Sequence, residues 1–411
     1  MTDNVGCMVH SVVRGALQNL GVPEHLAWVV AATFLHFASF YYLLATLPLY
    51  IQDLGGSIFQ VGLIIGVFSV SSLATRPLFG AWMDRAGRKR FLLAGAAIYV
   101  VASLGYLVIP SVPGLLVWRV FHAMGLATFS TAAASLSGDL APPERRGTTM
   151  GIFGLAQPAA LSVGPAVGAA VLAASSYPLL FLFTSFTALL ALACVLPIPE
   201  GKTPKPAGPV TVATWRLPGV LPSVAVSATL QFAASIAYGT FVSFVAVVAR
   251  ERGLAVVGAS FTLLALSSLG IRLVAGRLYD SWGPRAILPP ALISLAIGMA
   301  LLGVTANAPG FLLASVLAGA GIGGTHTTLL ARVVERCPAE HRGSAVALFI
   351  SCWELGVGGG TILMGRLAEA VGFRGMYLVA AALCLCGLGG LRTIARMPGL
   401  PPRDMAETKE P

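Results

Sequence analysis

Long apolar runs recur along the whole chain, separated by short segments that contain Gly, Pro and charged residues. A helix of about 20 apolar residues crosses a hydrocarbon core of about 30 Å. Twelve runs have this length, and each predicts a transmembrane helix. The predicted spans are 26–50, 58–82, 91–109, 113–137, 147–173, 176–197, 222–249, 257–277, 286–306, 309–334, 342–370 and 373–396.

The composition agrees with a chain that has the bilayer as its solvent. Of the 411 residues, 56% are hydrophobic and only 10% are charged. Soluble domains are typically about 25% charged. The six cysteines show no paired spacing typical of a metal site, and we expect neither a metal nor a cofactor. The sequence therefore predicts an all-α membrane protein with twelve transmembrane helices.

The net charge of +10 reflects orientation in the membrane, because the basic residues fall in alternate loops. Cytoplasmic loops carry an excess of Lys and Arg. This rule predicts a multi-pass cell-membrane protein with both termini in the cytoplasm, and we expect no nucleic-acid partner. The first 25 residues contain no uninterrupted apolar core, so we expect no cleavable signal peptide. The basic residues on the predicted cytoplasmic side are Arg85, Arg88, Lys89, Arg90, Arg145, Arg146, Lys202, Lys205, Arg216, Arg285, Arg332, Arg336, Arg342, Arg392 and Arg396.

The chain contains an internal repeat with an offset of 196 residues. Arg76, Gly80, Asp84 and Gly87 recur as Arg272, Gly276, Asp280 and Gly283, and the register continues from Asp139 to Glu335 and from Arg146 to Arg342. Each copy contains six predicted spans, an even number, so both copies enter the membrane in the same orientation. Parallel repeats of this kind place a substrate site between the two halves, near the middle of the membrane.

The repeat also predicts the organisation of the chain. We expect two six-helix bundles, at 26–197 and 222–396, joined by a cytoplasmic linker at 198–221 that is rich in Pro and basic residues. Residues 1–25 and 397–411 are predicted to be cytoplasmic tails.

The loop between the second and third spans, Gly80-Ala-Trp-Met-Asp84-Arg85-Ala-Gly87-Arg88, resembles the signature loop of the major facilitator superfamily. Arg119 in the fourth span and Gly164-Pro165 in the fifth resemble two further motifs, the second of which belongs to the drug/proton antiporter branch. The resemblance covers about 26–396 and implies a secondary transporter. Residue Ala160 stands where the branch has glycine, and Pro284 stands where the first copy has Arg88.

The signature loop is a candidate gate. A carboxylate beside a helix N-terminus is stabilised by about 0.3–1 kcal/mol when exposed. We expect Asp84 to face the start of the eleventh helix, Asp280 to face the start of the fifth, and Arg88 to pair with Asp139. The alternative is that these charges only set the topology. The other gating candidates are Arg85, Gly87, Gly164 and Pro165, of which Gly164-Pro165 should bend the fifth helix.

Ionisable side chains inside the membrane are functional-site candidates, since each costs about 2.5–3.5 kcal/mol at a helix centre. Glu354 lies about 18 Å into its helix and is a candidate proton carrier, a substrate contact or a structural hydrogen-bonding group. Arg119 and His122 lie one turn apart and can face the same cavity. Candidate partners for Arg119 are Glu354, an anionic substrate or backbone carbonyls of the first helix. His122 is a second proton-carrier candidate, with a neutral hydrogen-bonding role as the alternative.

Further substrate-binding candidates are His36, Gln231, Tyr238 and Trp353, and His326 receives less weight because it lies nearer the cytoplasm. The leading hypothesis is proton-coupled efflux of a small amphipathic compound or metabolite by a monomer. Proton-linked uptake of a nutrient such as a sugar or organic acid, or a non-transporting membrane sensor, remain as alternatives. The chain contains no Gly-x-Ser-x-Gly or His-Glu-x-x-His motif, so we expect no enzyme.

Overall fold

The computed structural model describes residues 24–142, 146–200, 220–337 and 341–396, and these residues form helices and no β-strand. The last helical segment, Arg342–Arg396, leaves helical geometry at Gly372 (φ 75°, ψ 170°), and we name its parts before and after this residue α11 and α12. The preceding helices are α1 (Glu24–Asp53), α2 (Ile58–Ala86), α3 (Arg88–Gly105), α4 (Val112–Leu140), α5 (Arg146–Ala174), α6 (Tyr177–Val195), α7 (Val220–Glu251), α8 (Val257–Trp282), α9 (Pro284–Val304) and α10 (Ala308–Arg336).

The twelve predicted spans are confirmed as helices, with ends that differ by a few residues. Within the described ranges, ten helical segments are long and apolar enough to cross a membrane, and α11 and α12 together count as one of them. Helix α3 is not among them, because its first three residues are Arg88, Lys89 and Arg90. The predicted tails and most of the predicted linker lie outside the described residues.

The repeat is visible in the turns that join consecutive helices. Gly87 (φ 96°) separates α2 from α3, and Gly283 (φ 72°) separates α8 from α9 at the equivalent position. A positive φ is strained for residues with a Cβ atom and easy for glycine. The two copies therefore use the same residue type for the same sharp reversal of the chain.

Helices α1–α6 pack mainly against one another, as do α7–α12. The principal contacts between these two halves are α2 with α11 and α5 with α8, and α1 also meets α7. In the repeat, α2 is equivalent to α8 and α5 is equivalent to α11. The two main contacts are therefore pseudo-symmetric copies of one helix–helix interface, which we call the α2–α11 interface and the α5–α8 interface.

The two halves are in close contact at one end of the bundle, which we call the far end because it lies opposite the end that carries Arg88 and Arg285, the basic end. A Cβ atom added to Gly66 of α2 would lie 2.4 Å from the carbonyl oxygen of Gly358 in α11. At the α5–α8 interface, a Cβ atom on Gly258 would lie 2.8 Å from the Cα atom of Ala166. Such approaches are possible only without a side chain.

Polar contacts also join the halves at the far end. The Arg250 guanidinium at the end of α7 donates to Asp53 and Gln52 at the end of α1, both at 2.6 Å. The backbone amide of Phe59 in α2 donates to Glu369 in α11 at 3.0 Å.

Toward the basic end the halves move apart. Added Cβ atoms on Gly147 and Gly151 of α5, and on Gly270 and Gly276 of α8, would meet nothing within 4 Å. The structure therefore represents a state that is closed at the far end and open at the basic end.

Candidate functional site

A cavity of about 500 Å³ lies between the two halves, within the size range of small-molecule binding sites. It is lined by α1, α2, α4 and α5 from one half and by α7, α8, α10 and α11 from the other. Aromatic side chains supply much of its wall. Its ionisable lining residues, within the part of the chain that is described, are Arg76, Arg119, Arg272, His326 and Glu354.

Glu354 forms an ion pair across the cavity. Its Oε1 atom accepts from the Arg76 guanidinium at 2.7 Å, which joins α11 to α2 and therefore one half to the other. The Glu354 side chain is 15% exposed, and its second carboxylate oxygen is buried without a hydrogen-bond partner. Among the described residues, the one carboxylate that lines the cavity thus lies at a point where both halves meet.

Arg119 also lines the cavity, but its surroundings differ from the prediction. The side chain is only 2% exposed, its guanidinium carbon lies 4.0 Å from the centroid of the Phe68 ring, and it donates a long hydrogen bond (3.4 Å) to the Tyr106 hydroxyl. Of its three candidate partners, Glu354 pairs with Arg76 of the adjacent α2 instead. Among the described residues, Arg119 donates to Tyr106 and not to the backbone of α1. The third candidate, an anionic substrate, stays a prediction.

His122 and His36 do not line the cavity, although both were expected to face it. Both are fully buried. His122 shares a hydrogen bond of 2.9 Å with Tyr106, and His36 stacks on Phe129 with the ring centroids 3.8 Å apart. The reason is the packing of the first half. The side of α1 that carries His36 and the side of α4 that carries His122 both face aromatic residues of the same bundle.

Gln231 is likewise fully buried and absent from the cavity wall. It lies two helical turns from Tyr238 on the same face of α7, at a depth where that face is packed against other helices. Tyr238 and Trp353 do line the cavity, with their ring centroids 5.0 Å apart. These two residues therefore occupy positions suited to substrate contact.

Four further cavity groups were not selected as site candidates from the sequence. Arg76 and Arg272 were used only to define the repeat. Both are ionisable residues inside predicted spans, so the criterion that identified Glu354 would also have identified them. Gln157 and Tyr41 line the cavity as well, and the Gln157 amide donates to the Tyr41 hydroxyl at 3.2 Å. His326 received little weight, yet it lies on the wall with its ring 5.1 Å from that of Trp353.

The gating candidates lie away from the cavity. Arg88 forms an ion pair with Asp139 and also donates to the Ser135 carbonyl at 2.8 Å, which joins α3 to α4 within one half. Asp280 is exposed at the end of α8, and its contact with the start of α5 stays a prediction. Asp84 and Arg85 lie in α2, but their side chains fall outside the described part of the structure.

Gly164 and Pro165 lie in the part of α5 that packs on α1. A Cβ atom on Gly164 would lie 2.6 Å from the Cβ atom of Tyr41. Helix α5 remains continuous from Arg146 to Ala174 in spite of this proline. Across the described residues, no group of three or more His, Cys, Asp or Glu side chains could hold a metal ion.

The chain matches the Major Facilitator Superfamily at residues 29–356 and 227–409. An uncharacterized MFS-type transporter of Salmonella typhimurium is 26% identical over 381 residues, which is 90% of this chain and 96% of that relative. The staphylopine export protein of Staphylococcus aureus is 25% identical over 352 residues, 82% of this chain and 88% of the relative.

Solved structures support the same fold. A bacterial homolog of the human lysosomal transporter Spinster, in an inward-facing and occupied conformation, superposes with a TM-score of 0.76 at 16% identity and covers 92% of this chain and 98% of its own. The nucleoside transporter NupG superposes with a TM-score of 0.74 at 12% identity, covering 90% and 99%. With a family match over most of its length and the corresponding fold, this chain belongs to the Major Facilitator Superfamily.

Proposed function

We propose that this transporter exports a small amphipathic compound by alternating access and that proton movement drives the export. The observation that carries the proposal is the Arg76–Glu354 ion pair, which lies on the cavity wall and joins the two halves. Two features of the molecule, its open end and its unpaired carboxylate oxygen, support separate parts of the proposal.

The open end supports alternating access. The cavity lies between two bundles that touch at the far end and part at the basic end, as expected of one of the two end states of a rocking transporter. If the basic end is cytoplasmic, as the distribution of Lys and Arg predicts, this state is open to the cytoplasm and receives substrate from it. The mechanism requires a second state in which the far end opens and the basic end closes.

The free oxygen of Glu354 supports proton coupling. A proton on Oε2 would remove the negative charge of the carboxylate, and the attraction between α2 and α11 at this point would weaken. Only an interaction that differs between two states can shift the balance between them. A bond that crosses the two halves has this property, because rocking changes the distance between its partners. His122 is the weaker proton-carrier candidate, since it is sealed from the cavity.

The energy available is sufficient for such a cycle. A membrane potential of 100 mV supplies about 2.3 kcal/mol for each charge that crosses, while a tenfold concentration gradient costs about 1.4 kcal/mol. Export as the direction is supported by the relative named for staphylopine export.

Accumulation assays in cells test the proposal. Cells that express the wild type or Glu354→Gln are loaded with a panel of amphipathic fluorescent compounds, anionic, cationic and neutral, with and without an uncoupler. We expect the wild type to lower the accumulation of some compounds, and both Glu354→Gln and the uncoupler to abolish this effect.

The matched control is Glu251→Gln, which removes an exposed carboxylate at the far end. It should export as the wild type does. Uncoupler-sensitive export that persists in Glu354→Gln would exclude Glu354 as the coupling residue, and no response to any compound in the panel would contradict amphipathic export.

A further inference from the structure

The cavity carries a surplus of positive charge. Three arginines and one carboxylate line it within the described part of the chain, and Arg76 already holds the carboxylate. Arg119 and Arg272 therefore face the same small volume without a carboxylate partner. A guanidinium in such a partly enclosed place favours an anionic partner, since water in the cavity compensates its charge less fully than bulk water does.

The repeat explains why Arg272 has no partner. Arg272 is equivalent to Arg76, and the residue equivalent to Glu354 in the first copy is Pro158. Both Arg272 and Pro158 line the cavity, on α8 and α5, just as Arg76 and Glu354 do on α2 and α11. The α5–α8 interface thus has the cation of the ion pair and lacks its anion.

The surroundings of Arg272 contain hydroxyl groups and aromatic rings. Its electrostatic neighbours include the hydroxyls of Tyr41 and Tyr238 and the ring of His326, with no carboxylate among those described. Its Nε atom is buried without a hydrogen-bond partner. The Tyr41 oxygen accepts from Gln157, so its own proton is available for donation. Tyr238 packs beside Trp353, which provides an apolar wall next to the charge.

Arg119 provides a second positive charge on the opposite half. Its Nε atom is also buried without a partner, and its only polar contact among the described residues is the long one to Tyr106. The ring of Phe68 lies against it, and Phe37 and Phe40 continue the apolar wall.

We propose that the substrate is an amphipathic organic anion whose carboxylate pairs with Arg272, as the Glu354 carboxylate pairs with Arg76. This inference rests on the proposed transport function. The apolar or aromatic body of the substrate packs between Tyr238–Trp353 and the phenylalanines near Arg119. A planar guanidinium holds a carboxylate through two parallel hydrogen bonds, which gives Arg272 both affinity and orientation. A substrate with a second acidic group also meets Arg119.

Binding to the purified full-length protein in detergent tests this inference by titration calorimetry. The probes are naphthalene-2-carboxylate, biphenyl-4-carboxylate and naphthalene-2,6-dicarboxylate, each compared with its uncharged methyl ester. We expect the wild type to bind carboxylates at least tenfold more tightly than esters. Arg272→Gln should weaken carboxylate binding about 10- to 100-fold and leave ester binding nearly unchanged. Arg272→Lys should retain part of the preference.

The control is Arg277→Gln, which removes an exposed arginine from the same helix and should leave the preference intact. If the wild type binds esters as tightly as carboxylates, or if the preference survives in Arg272→Gln, the inference is wrong.

A gain of carboxylate provides an independent test. Pro158→Glu places a glutamate at the position equivalent to Glu354, where we expect it to pair with Arg272. Carboxylate binding should fall at least tenfold, whereas Pro158→Gln should bind as the wild type does. Thermal unfolding of each variant establishes that it is folded. Equal carboxylate binding by both folded variants would contradict the proposed position of the anion.

These binding measurements involve no membrane and no gradient, so they fail independently of the transport proposal. A carboxylate preference without uncoupler-sensitive export would leave the anion site standing and contradict proton-coupled export. Uncoupler-sensitive export of cations and esters, without binding of carboxylates, would support proton-coupled export and contradict the anion site.

Discussion

The two main interfaces between the halves begin from equivalent positions and differ in chemistry. At the α2–α11 interface, Gly66 meets Gly358 backbone to backbone, and Arg76 pairs with Glu354. At the α5–α8 interface, the equivalent of the glycine pair is Thr262 and Ser162, where the Thr262 hydroxyl donates to the Ser162 carbonyl at 2.7 Å. The equivalent of the ion pair is Arg272 and Pro158.

The comparison shows how equivalent positions of a duplicated scaffold acquire different side-chain contacts. The α2–α11 interface holds a closed ion pair and close backbone contact, while the α5–α8 interface holds an arginine without a carboxylate. Arg76 is neutralised by Glu354, whereas the position equivalent to Glu354 at the other interface holds Pro158, which cannot neutralise Arg272. This difference is why we propose proton coupling at the α2–α11 interface and substrate binding at the α5–α8 interface.

The largest expected effect on export and stability comes from replacing Gly66, which contacts Gly358. In Gly66→Ala the new methyl group would lie 2.4 Å from the Gly358 carbonyl oxygen, so α2 and α11 must separate at the far end. Overpacking of this kind costs about 1–3 kcal/mol. We expect a loss of most export and a lower melting temperature of the purified protein.

Two variants sharpen this result. Gly359→Ala adds a methyl group next to the contact, where nothing lies within 4 Å, and should behave as the wild type does. Thr262→Val, at the position equivalent to Gly66, removes one hydrogen bond and should cost only about 0.5–1.5 kcal/mol. An equal effect of Gly66→Ala and Gly359→Ala would show that the glycine contact is not required.

A smaller effect is expected when Arg76 or Arg272 is replaced. The two substitutions should change the free energy of unfolding differently, with a loss at the α2–α11 interface and no loss or a gain at the α5–α8 interface. Arg76→Gln leaves the Glu354 carboxylate without its partner. Removal of one member of a buried pair costs about 3–5 kcal/mol, and we expect about 1–2 kcal/mol here because water in the open cavity screens the charge. Arg272→Gln removes a cation that has no carboxylate partner, so it should leave stability unchanged or raise it by up to about 1 kcal/mol.

Thermal unfolding of both variants in the same detergent measures this difference, with Arg277→Gln as a neutral reference. Destabilisation of similar size in Arg76→Gln and Arg272→Gln would mean that both arginines have partners within the protein. This result would contradict our distinction between an interface with a paired arginine and an interface with an unpaired one.

The smallest effect is expected at the exposed contacts of the far end. Asp53→Asn removes the ion pair to Arg250, in which both side chains are about 40% exposed or more. Exposed pairs contribute about 0.2–1 kcal/mol. The population that is open at the far end should therefore rise no more than about fivefold, as measured by distances between spin labels on the α1–α2 and α7–α8 loops. A complete shift to that state would show that this pair, rather than the glycine contact, holds the far end closed.

Most of the fold could be predicted because its determinants are local. The length and apolarity of each run decide whether it crosses a membrane, and the repeated Gly87 and Gly283 mark equivalent turns. The predicted Arg88–Asp139 contact also has its counterpart in the structure, since the two residues lie at adjacent helix ends of one half.

The candidate site could be predicted only in part, because it depends on which helix faces meet. Glu354 is recognisable from its depth, but its partner depends on the contact between α2 and α11, which are separated by more than 250 residues in the chain. His122 is one turn from Arg119 and both side chains contact Tyr106, yet only Arg119 of these two also lies on the cavity wall.

The sequence by itself therefore determined the twelve helices, the 196-residue repeat, the family and the presence of a carboxylate well inside an apolar helix, since each follows from local apolarity, from sequence motifs or from comparison of the chain with itself. Only the tertiary structure decided that Arg76 pairs with this carboxylate and that Arg272 and Arg119 have no carboxylate partner among the described residues. It also decided that His36, His122 and Gln231 are sealed from the cavity. The physical reason is that the pairing and the exposure of a charged side chain depend on the groups packed around it. For the Arg76–Glu354 pair, these groups come from opposite halves of the chain.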